Sequence, residues 1–198
     1  MKFEIAKQEQ YTQIKKIYLE AFPKCERKPW FILRHSIKKQ KAIIMTACEA
    51  EQLCGFAVLI PYQDMVMVDY LAVSSKIRSK GTGSYMLKKI CERFSNKKII
   101  LLIEELDDLA INRDQRIARK KFYQKNGFIS SQLFINGASG NMEILCYGKI
   151  PTAKEYLDLQ KYALGAFFFK LSRIHLLDKS PVIGDSISFH HECVKEVH

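Results

Sequence analysis

The sequence predicts a protein of the α/β class, in which helices flank a central mixed sheet, and three observations support this. Strand-like and helix-like segments follow one another in the order β-α-α-β-β-β-α-β-α-β-β between residues 1 and 150. The run 99–103 is apolar at every position, which is typical of a strand covered on both faces. The apolar run 65–73 leads through a glycine-containing loop into a helix-like segment, as expected where strands and helices alternate.

The N-terminal elements are predicted from the spacing of apolar residues. Alternating or continuous apolar runs indicate strands, and apolar residues at every third or fourth position indicate helices. Pro23 is expected to close the first helix and Pro29 to begin the second. Pro61 is expected to end the third strand. We predict strands at 2–7, 42–48, 53–60 and 65–73, and helices at 8–22 and 28–39.

The second half of the domain follows the same rules. Asn126 and Gly127 suit the left-handed end of a basic helix. A polar turn at 136–141 separates two strand-like runs, as in a hairpin. We predict a helix from the glycine loop to about Phe94, a strand at 99–103, a helix at 113–125 and strands at 128–135 and 142–149.

Residues 151–198 differ in character and are predicted to be a C-terminal helical extension and tail, following a domain at 1–150. Thr152 and Glu155 form the pattern of a capping box. An apolar stripe, 166–169 with 176–177, either docks on the domain or forms a subunit interface, which makes a homodimer possible. The histidines and cysteine after Pro181 have a spacing that fits no standard site, so no metal is expected.

Composition limits the classes of function. The chain has 198 residues, and no apolar run among them is long enough to cross a bilayer. The N-terminus lacks a signal-peptide core and the six cysteines are scattered, so we expect a cytoplasmic protein with free thiols. The formal net charge of +11 favours an anionic partner, and nucleic acid, a membrane surface and a phosphate-rich cofactor all satisfy that condition.

The loop after the run 65–73 is suited to bind an anion. Gly81 and Gly83 allow backbone amides to approach a ligand closely, and Arg78 and Lys80 add positive charge. The first amides of the following helix lack internal partners and carry the positive end of its dipole. An ordinary strand-to-helix turn is the alternative, because a glycine pair alone is a weak signal.

Two stretches carry a resemblance to a known family. The arrangement Arg78-x-x-Gly81-x-Gly83, after Leu-Ala-Val, resembles the acyl-CoA-binding signature of the GNAT superfamily of N-acetyltransferases. Downstream, Phe122-Tyr123 followed by Gly127-Phe128 is similar to a helix end of the same superfamily. The resemblance covers residues 1–150 and implies the GNAT fold, a central, mostly antiparallel sheet with a splayed pair of parallel strands flanked by helices.

The resemblance also implies acetyl-CoA as co-substrate and assigns residues to it. The N–H of Leu71 would polarise the thioester carbonyl, and Val73 would hold the pantetheine arm. Tyr123 matches the tyrosine that protonates the departing thiolate. Arg116, in place of a frequent asparagine, and Arg119 suggest an electrostatic grip on the phosphates. The other residues assigned to the coenzyme form the loop and helix start: Arg78, Ser79, Lys80, Gly81, Thr82, Gly83 and Ser84.

The acceptor side is expected to contain a base, because an alkyl ammonium with a pKa of about 10.4 must lose a proton before it attacks. Glu104 is the first candidate and Asp69 the second, and both are also candidates for binding the acceptor. Glu105 either attracts a cationic acceptor or belongs to a solvated acidic turn. In the family the second helix shapes the acceptor pocket, so Trp30 and Phe31 either line it or belong to the core.

Three functions remain open at this point. The favoured one is an N-acetyltransferase that transfers an acetyl group from acetyl-CoA directly to a primary amine, since no cysteine or serine lies in a nucleophile motif. The second is a non-catalytic acyl-CoA-binding sensor or scaffold of the same fold. The third is a basic nucleic-acid-binding protein, although the sequence contains no RNA- or DNA-reading motif, so neither nucleic acid nor a membrane is the expected partner. The acceptor itself is not predicted.

Overall fold

Helices and strands alternate through the described part of the chain, residues 1–77, 81–137 and 140–179 of the computed structural model. The helices are α1 (Tyr11–Ala21), α2 (Trp30–Lys38), α3 (Thr82–Arg93), α4 (Arg113–Lys125), α5 (Ala153–Leu164) and α6 (Ala166–Ser172). The strands are β1 (Lys2–Ile5), β2 (Ile43–Glu49), β3 (Gln52–Tyr62), β4 (Met65–Val73), β5 (Lys98–Glu104), β6 (Ile129–Gly137), β7 (Gly140–Tyr147) and β8 (His175–Leu177). Among these helices, none combines the length and the apolar character needed to cross a membrane.

The eight strands of the described residues belong to one mixed sheet. Their order is β1-β2-β3-β4-β5-β7-β6-β8. Within the described residues β4 and β5 are the only parallel neighbours, and the other pairs are antiparallel. The prediction of a mostly antiparallel mixed sheet with one parallel pair is therefore confirmed.

Helices cover both faces of the sheet because the strands alternate apolar side chains between the two sides. On one face, Tyr18 of α1, Leu33 of α2 and Tyr156 of α5 pack with Met67 and Tyr70 of β4. The other face holds α3 and α4 against a second apolar cluster. The residues that represent this cluster are Met86, Leu87 and Ile90 of α3, Val66 and Val68 of β4, and, at its edge, Phe122 and Tyr123 of α4. The sheet thus separates an α1–α2–α5 side from an α3–α4 side.

Residues 151–179 pack on the same sheet as the preceding residues. The predicted capping box is present, since Thr152 N–H donates to Glu155 Oε2 at 2.6 Å and Glu155 N–H donates to Thr152 Oγ1 at 3.2 Å. Tyr156 and Leu159 are fully buried, and β8 adds to the free edge of β6. Helix α5 is therefore docked on the domain, as one of the two alternatives predicted. The exposed face of α6 keeps the other alternative, a subunit interface, open. The division into a domain and an extension at residue 150 stays a prediction. Residues 180–198, including the histidines and cysteine considered as metal ligands, lie outside the described residues.

The start of α5 is attached to the sheet by an ion pair that depends on pH. Lys98 Nζ pairs with the Glu155 carboxylate and lies 3.1 Å from Asp64 Oδ2. The hydrogen bond from Lys98, followed by that from the Thr152 amide, lowers the pKa of Glu155 to about 2 from its ordinary 4.5. A lowered pKa stabilises the folded state above the unfolded value, and this stabilisation is lost as the pH falls through the folded value.

Glu155→Gln is therefore expected to lower the melting temperature most near neutral pH, with the difference from the unmodified chain closing as the pH falls from about 4.5 to about 2. Asp158→Asn provides the control, because Asp158 pairs with exposed Lys154 on the same helix at 3.3 Å and such surface pairs contribute little. Thermal unfolding followed across the acid range checks both variants. A difference in melting temperature between Glu155→Gln and the unmodified chain that is the same at every pH would contradict a stabilising role for the charged Glu155–Lys98 pair.

Candidate active site

The two parallel strands separate halfway along their length. The pairing of β4 with β5 begins at Met65 and Lys98 and ends at Val68 and Leu101, although β4 continues to Val73 and β5 to Glu104. A bulge accompanies the separation, because Val58 of β3 lies opposite Tyr70 while Leu59 lies opposite Val68, which leaves Asp69 as the extra residue. The last residues of β4 therefore border a gap instead of a partner strand.

The backbone of β4 presents hydrogen-bonding groups to this gap. Ser74 N–H donates to Cys54 O of β3 at 2.9 Å, and N–H groups alternate in direction along a strand. The N–H group of Ala72 therefore also faces β3, while the N–H groups of Leu71 and Val73 face the gap. This is the orientation in which Leu71 could donate to an acyl oxygen and Val73 could pair with an extended chain.

The start of α3 lies next to the end of β4 and fits an anion. Gly81 is the N-cap with φ of +76°, a left-handed conformation that glycine adopts without strain, and no atom of the other described residues lies within 4 Å of a Cβ built there. Thr82 begins the helix with a buried hydroxyl that has no hydrogen-bond partner among the described residues. Ser84 is half-buried in the same turn. Arg78, Ser79 and Lys80, predicted to add to this cradle, lie outside the described residues.

Gly83 sets the distance between α3 and α4. A Cβ at this position would lie 3.1 Å from Cζ of Phe122 and 3.8 Å from Cγ2 of Val73. The glycine therefore lets the first turn of α3 approach both α4 and the end of β4. The helix start and the strand edge with free amides consequently form one continuous surface.

Tyr123 borders this surface from α4. Its ring packs edge-on against Phe122 at 5.2 Å and Phe128 at 6.0 Å between centroids. Burial raises the pKa of its hydroxyl, and the nearby guanidinium of Arg119 acts in the opposite direction. No described residue forms a hydrogen bond with the Tyr123 hydroxyl, so it can donate to a ligand. Leu71, Val73 and Tyr123 pack at the edge of the same apolar cluster. Leu71, the predicted oxyanion donor, and Tyr123, the predicted acid, therefore lie on the same side of the sheet.

Arg116 and Arg119 form ion pairs with the carboxylate of Glu104. Arg119 lies 2.8 Å from Glu104 Oε2 and Arg116 lies 3.3 Å from Oε1. Asn112 also donates to Glu104 at 3.0 Å, and Arg116 donates to the carbonyl oxygen of Glu105 at 2.7 Å. These contacts hold the N-terminal half of α4 against the end of β5. The sequence did not predict this pairing, and the coenzyme-binding role of the two arginines and the base role of Glu104 stay predictions.

Asp69 is likewise engaged in an ion pair. Its two oxygens accept hydrogen bonds from Lys28 Nζ at 2.7 and 2.8 Å, and its side chain is 12% exposed. Lys28 belongs to the segment 22–29 between α1 and α2, which Tyr18 also holds by donating to Lys28 O at 2.9 Å. The bulge residue therefore fixes a loop over the gap, and its roles as base or acceptor ligand stay predictions.

The remaining acceptor-side candidates are dispersed. Glu105 pairs with Lys179, which approaches from the segment after β8. Trp30 packs against Tyr18 with 5.8 Å between ring centroids, as a core residue does. Phe31 is 69% exposed and borders a groove of about 410 Å³ whose lining comes from α1, α2 and the turn before α1. In the described part of the chain no group of three or more side chains is placed to hold a metal ion.

Sequence reasoning missed Glu26, which lies in the same segment as Lys28. Its carbonyl oxygen accepts a hydrogen bond from the Tyr70 hydroxyl at 3.0 Å. Burial raises the pKa of its carboxyl, Arg119 lowers it and Glu104 raises it, which places the side chain within the field of both groups. Glu26 stands in a charged turn, Lys-Cys-Glu-Arg-Lys, and nothing in that pattern distinguishes it from a surface residue.

A parallel pair of strands that opens beside free backbone amides and a glycine-capped helix start is an arrangement suited to bind an acyl-CoA. Comparison with known proteins agrees, since residues 40–130 match the family model described as an acetyltransferase (GNAT) domain. This match confirms, over residues 40–130, the resemblance to GNAT acetyltransferases that the two sequence motifs indicated. A search of curated protein sequences finds no significant match.

Solved structures share the fold at low sequence identity. An acetyltransferase of the GNAT family from Bacteroides thetaiotaomicron has a TM-score of 0.65 and 18% identity, covering 80% of this chain and 93% of its own. The aminoglycoside 6'-N-acetyltransferase from Enterococcus faecium has a TM-score of 0.58 and 17% identity, with coverage of 77% and 99%. A Bacillus subtilis acetyltransferase, solved in complex with CoA, has a TM-score of 0.59 and 16% identity, with coverage of 75% and 98%.

Proposed function

We propose that the protein transfers an acetyl group from acetyl-CoA directly to a primary amine. The observation that carries this proposal is the opening of β4 from β5 after Val68 and Leu101, which leaves the N–H groups of Leu71 and Val73 facing the gap. The coenzyme complex of the Bacillus subtilis acetyltransferase, which shares the fold, supports acetyl-CoA as the donor. The residues present fit this co-substrate, because α3 begins with a left-handed glycine and with a Thr82 hydroxyl that has no hydrogen-bond partner in the described part of the chain.

In this mechanism each group acts on a different part of the thioester. The N–H of Leu71 stabilises the negative charge on the carbonyl oxygen, a contribution of about 3 to 4 kcal/mol for such a donor. The N–H and C=O of Val73 pair with the amides of the pantetheine arm. The Tyr123 hydroxyl donates a proton to the sulfur as the carbon–sulfur bond breaks, and its raised pKa keeps it protonated at neutral pH. The amine attacks directly, without an acyl-enzyme.

The acceptor is proposed to be cationic before it reacts. Glu26, Asp69, Glu104 and Glu105 contribute four carboxylates from the α1–α2 segment, the bulge and the end of β5. Ion pairs with lysines or arginines neutralise Asp69, Glu104 and Glu105, so Glu26 is the carboxylate of this set without an ion pair among the described residues and is the one able to attract an ammonium group, while the α3 start suits phosphates. The Enterococcus faecium enzyme of the same fold is named for an aminoglycoside, a polycationic amine, which makes that class one candidate.

Two further assignments belong to the proposal, and two other functions compete with it. A cytoplasmic location follows from the need for acetyl-CoA and from the free cysteines of the described residues. A homodimer through the C-terminal extension would use the exposed face of α6, formed by Phe167, Phe168 and Leu171. A non-catalytic acyl-CoA sensor and a nucleic-acid-binding protein remain the competing functions.

The test of the proposal has two stages. Acetyl-CoA is expected to raise the melting temperature, and free thiol is expected to appear when kanamycin, spermidine or a lysine-containing peptide is added as the amine. The background without amine is the control. Stabilisation by acetyl-CoA without thiol release for any amine would favour the sensor. Retention on heparin that acetyl-CoA does not displace, without stabilisation, would favour nucleic-acid binding.

A further inference from the structure

We propose that Glu26 is the general base that takes a proton from the acceptor ammonium, an inference that rests on the proposed acetyl transfer. The sequence favoured Glu104 and Asp69 for this step. The structure places a third acidic residue beside the same gap, on the segment 22–29 between α1 and α2, with its backbone bonded to Tyr70 and its carboxyl within the electrostatic range of Arg119 and Glu104.

The segment that carries Glu26 is fixed against β4 at the point where the strand leaves β5. Tyr70, the residue after the bulge, donates its hydroxyl to Glu26 O at 3.0 Å and accepts from Lys28 N–H at 3.0 Å. Lys28 Nζ binds both oxygens of Asp69 at 2.7 and 2.8 Å. Because these contacts hold the segment at the bulge residue and at the residue after it, the backbone of Glu26 has a defined position beside the gap.

One guanidinium links Glu26 to the other reacting groups. Arg119 acts electrostatically on the Glu26 carboxyl and on the Tyr123 hydroxyl, and it forms an ion pair with Glu104. Glu26, on the segment between α1 and α2, and Tyr123, four positions after Arg119 on α4, therefore both lie within the electrostatic range of this one guanidinium. A base on the acceptor side and an acid on the thioester side is the arrangement that direct transfer requires.

Glu26 also differs from the other carboxylates at the gap in having no ion pair with a described residue. Asp69 is bound by Lys28, Glu104 by two arginines, and Glu105 by Lys179. Protonation of a paired carboxylate would leave its cationic partner uncompensated in a partly buried place, which is costly. Burial raises the pKa of Glu26, Glu104 adds to the rise and Arg119 opposes it, which brings this carboxyl closer to the pH at which a base is effective.

The proton transfers balance as follows. One N–H bond of the ammonium breaks and its proton goes to a Glu26 oxygen, which frees the nitrogen lone pair to form the carbon–nitrogen bond. The carbon–sulfur bond then breaks, and the thiolate takes the Tyr123 proton. Tyr123 regains a proton from the nitrogen of the adduct through solvent, and Glu26 releases its proton to solvent. The products are the amide, CoA thiol and one proton.

The test compares Glu26→Gln with the unmodified enzyme as a function of pH, using the best acceptor from kanamycin, spermidine and the lysine-containing peptide. At about pH 7 the variant is expected to have a kcat about tenfold lower with an unchanged KM for acetyl-CoA. The deficit is expected to shrink as the pH rises, because more acceptor then arrives as the free amine. The charged groups that act on the Glu26 carboxyl from the packed elements are Arg119 and Glu104, and Arg27 and Lys28 are its charged neighbours in its own segment.

Two companion variants separate a base from a structural residue. Glu20→Gln changes an exposed glutamate six positions earlier, on α1, and is expected to leave the kinetics unchanged. Glu26→Asp keeps a carboxyl, so its plot of kcat against pH is expected to keep the acidic limb seen with the unmodified enzyme. An unchanged kcat in Glu26→Gln, or a deficit equal at every pH, overturns the inference while the proposed function stands. If the unmodified enzyme binds acetyl-CoA but acetylates none of the three amines, the proposed function fails and this inference fails with it.

Discussion

Replacement of Tyr123 by phenylalanine is expected to lower kcat about a hundredfold, because the departing thiolate loses its proton donor. The ring contacts with Phe122 and Phe128 do not involve the hydroxyl, so the fold and the KM for acetyl-CoA should change little. Burial raises the pKa of this hydroxyl, so it stays protonated through the neutral range. Steady-state measurement of thiol release at saturating amine checks the prediction.

Tyr147→Phe is the matched control for that experiment. Both tyrosines pack against Phe128, with centroid distances of 6.0 Å for Tyr123 and 5.7 Å for Tyr147, but Tyr147 lies on β7 and faces the region between the C-terminal parts of α3 and α4. Loss of its hydroxyl is expected to leave kcat unchanged. Equal activity of the Tyr123 and Tyr147 variants would show that the hydroxyl of Tyr123 takes no part in transfer.

The fold was predictable where local pattern and tertiary packing agree. The basic helix at 113–125 is observed as Arg113–Lys125, because its cap and its apolar spacing are both local signals. The prediction that Pro61 ends its strand was wrong, since β3 continues to Tyr62. Pro61 lies opposite Val66, one position from the pair that closes a two-residue turn, where the missing N–H interrupts no hydrogen bond to β4.

Strand β8 could not be predicted in the same way. It has three residues, His175–Leu177, and it forms only because the edge of β6 offers unpaired backbone groups to a segment that returns from α6. The sequence shows only two leucines in an apolar stripe. Only the order of the strands in the whole sheet identifies β6 as its pairing partner.

The residues of the candidate site likewise differ in whether a local sequence pattern could reveal them. The glycine loop and the Phe122-Tyr123 pair were visible because they are continuous in sequence and resemble a family signature. The pairing of Glu104 with Arg116 and Arg119 joins the end of a strand to a helix that begins nine positions later, and no local pattern marks it. Glu26 depends on a contact with Tyr70 across 44 positions of sequence, so only the folded chain places it at the gap.

The C-terminal extension is expected to be necessary for the stability of the whole sheet, and Tyr156→Ala tests this. Tyr156 is fully buried in the apolar cluster that contains Met67 and Tyr70 of β4, and its hydroxyl accepts a hydrogen bond from Gln160 Nε2 at 2.8 Å. Gln160 Nε2 also lies 3.4 Å from Met67 Sδ, two residues before the bulge. Removing a buried aromatic ring leaves a cavity and should lower the free energy of unfolding by about 3 to 5 kcal/mol.

Tyr162→Ala on the same helix is the control for this loss of stability. Tyr162 is half-buried and stacks on Tyr62 with 4.7 Å between ring centroids, so its removal uncovers surface without opening an enclosed cavity and should cost about 1 to 2 kcal/mol. Urea unfolding of both variants measures the difference, and Tyr156→Phe, which keeps the ring, should lie between Tyr156→Ala and the unmodified chain. If α5 served only as a subunit interface, Tyr156→Ala would dissociate an oligomer and leave the unfolding free energy of the monomer unchanged. Full burial of Tyr156 within one chain, against the strand that presents Leu71 and Val73, is the physical reason to expect the larger loss.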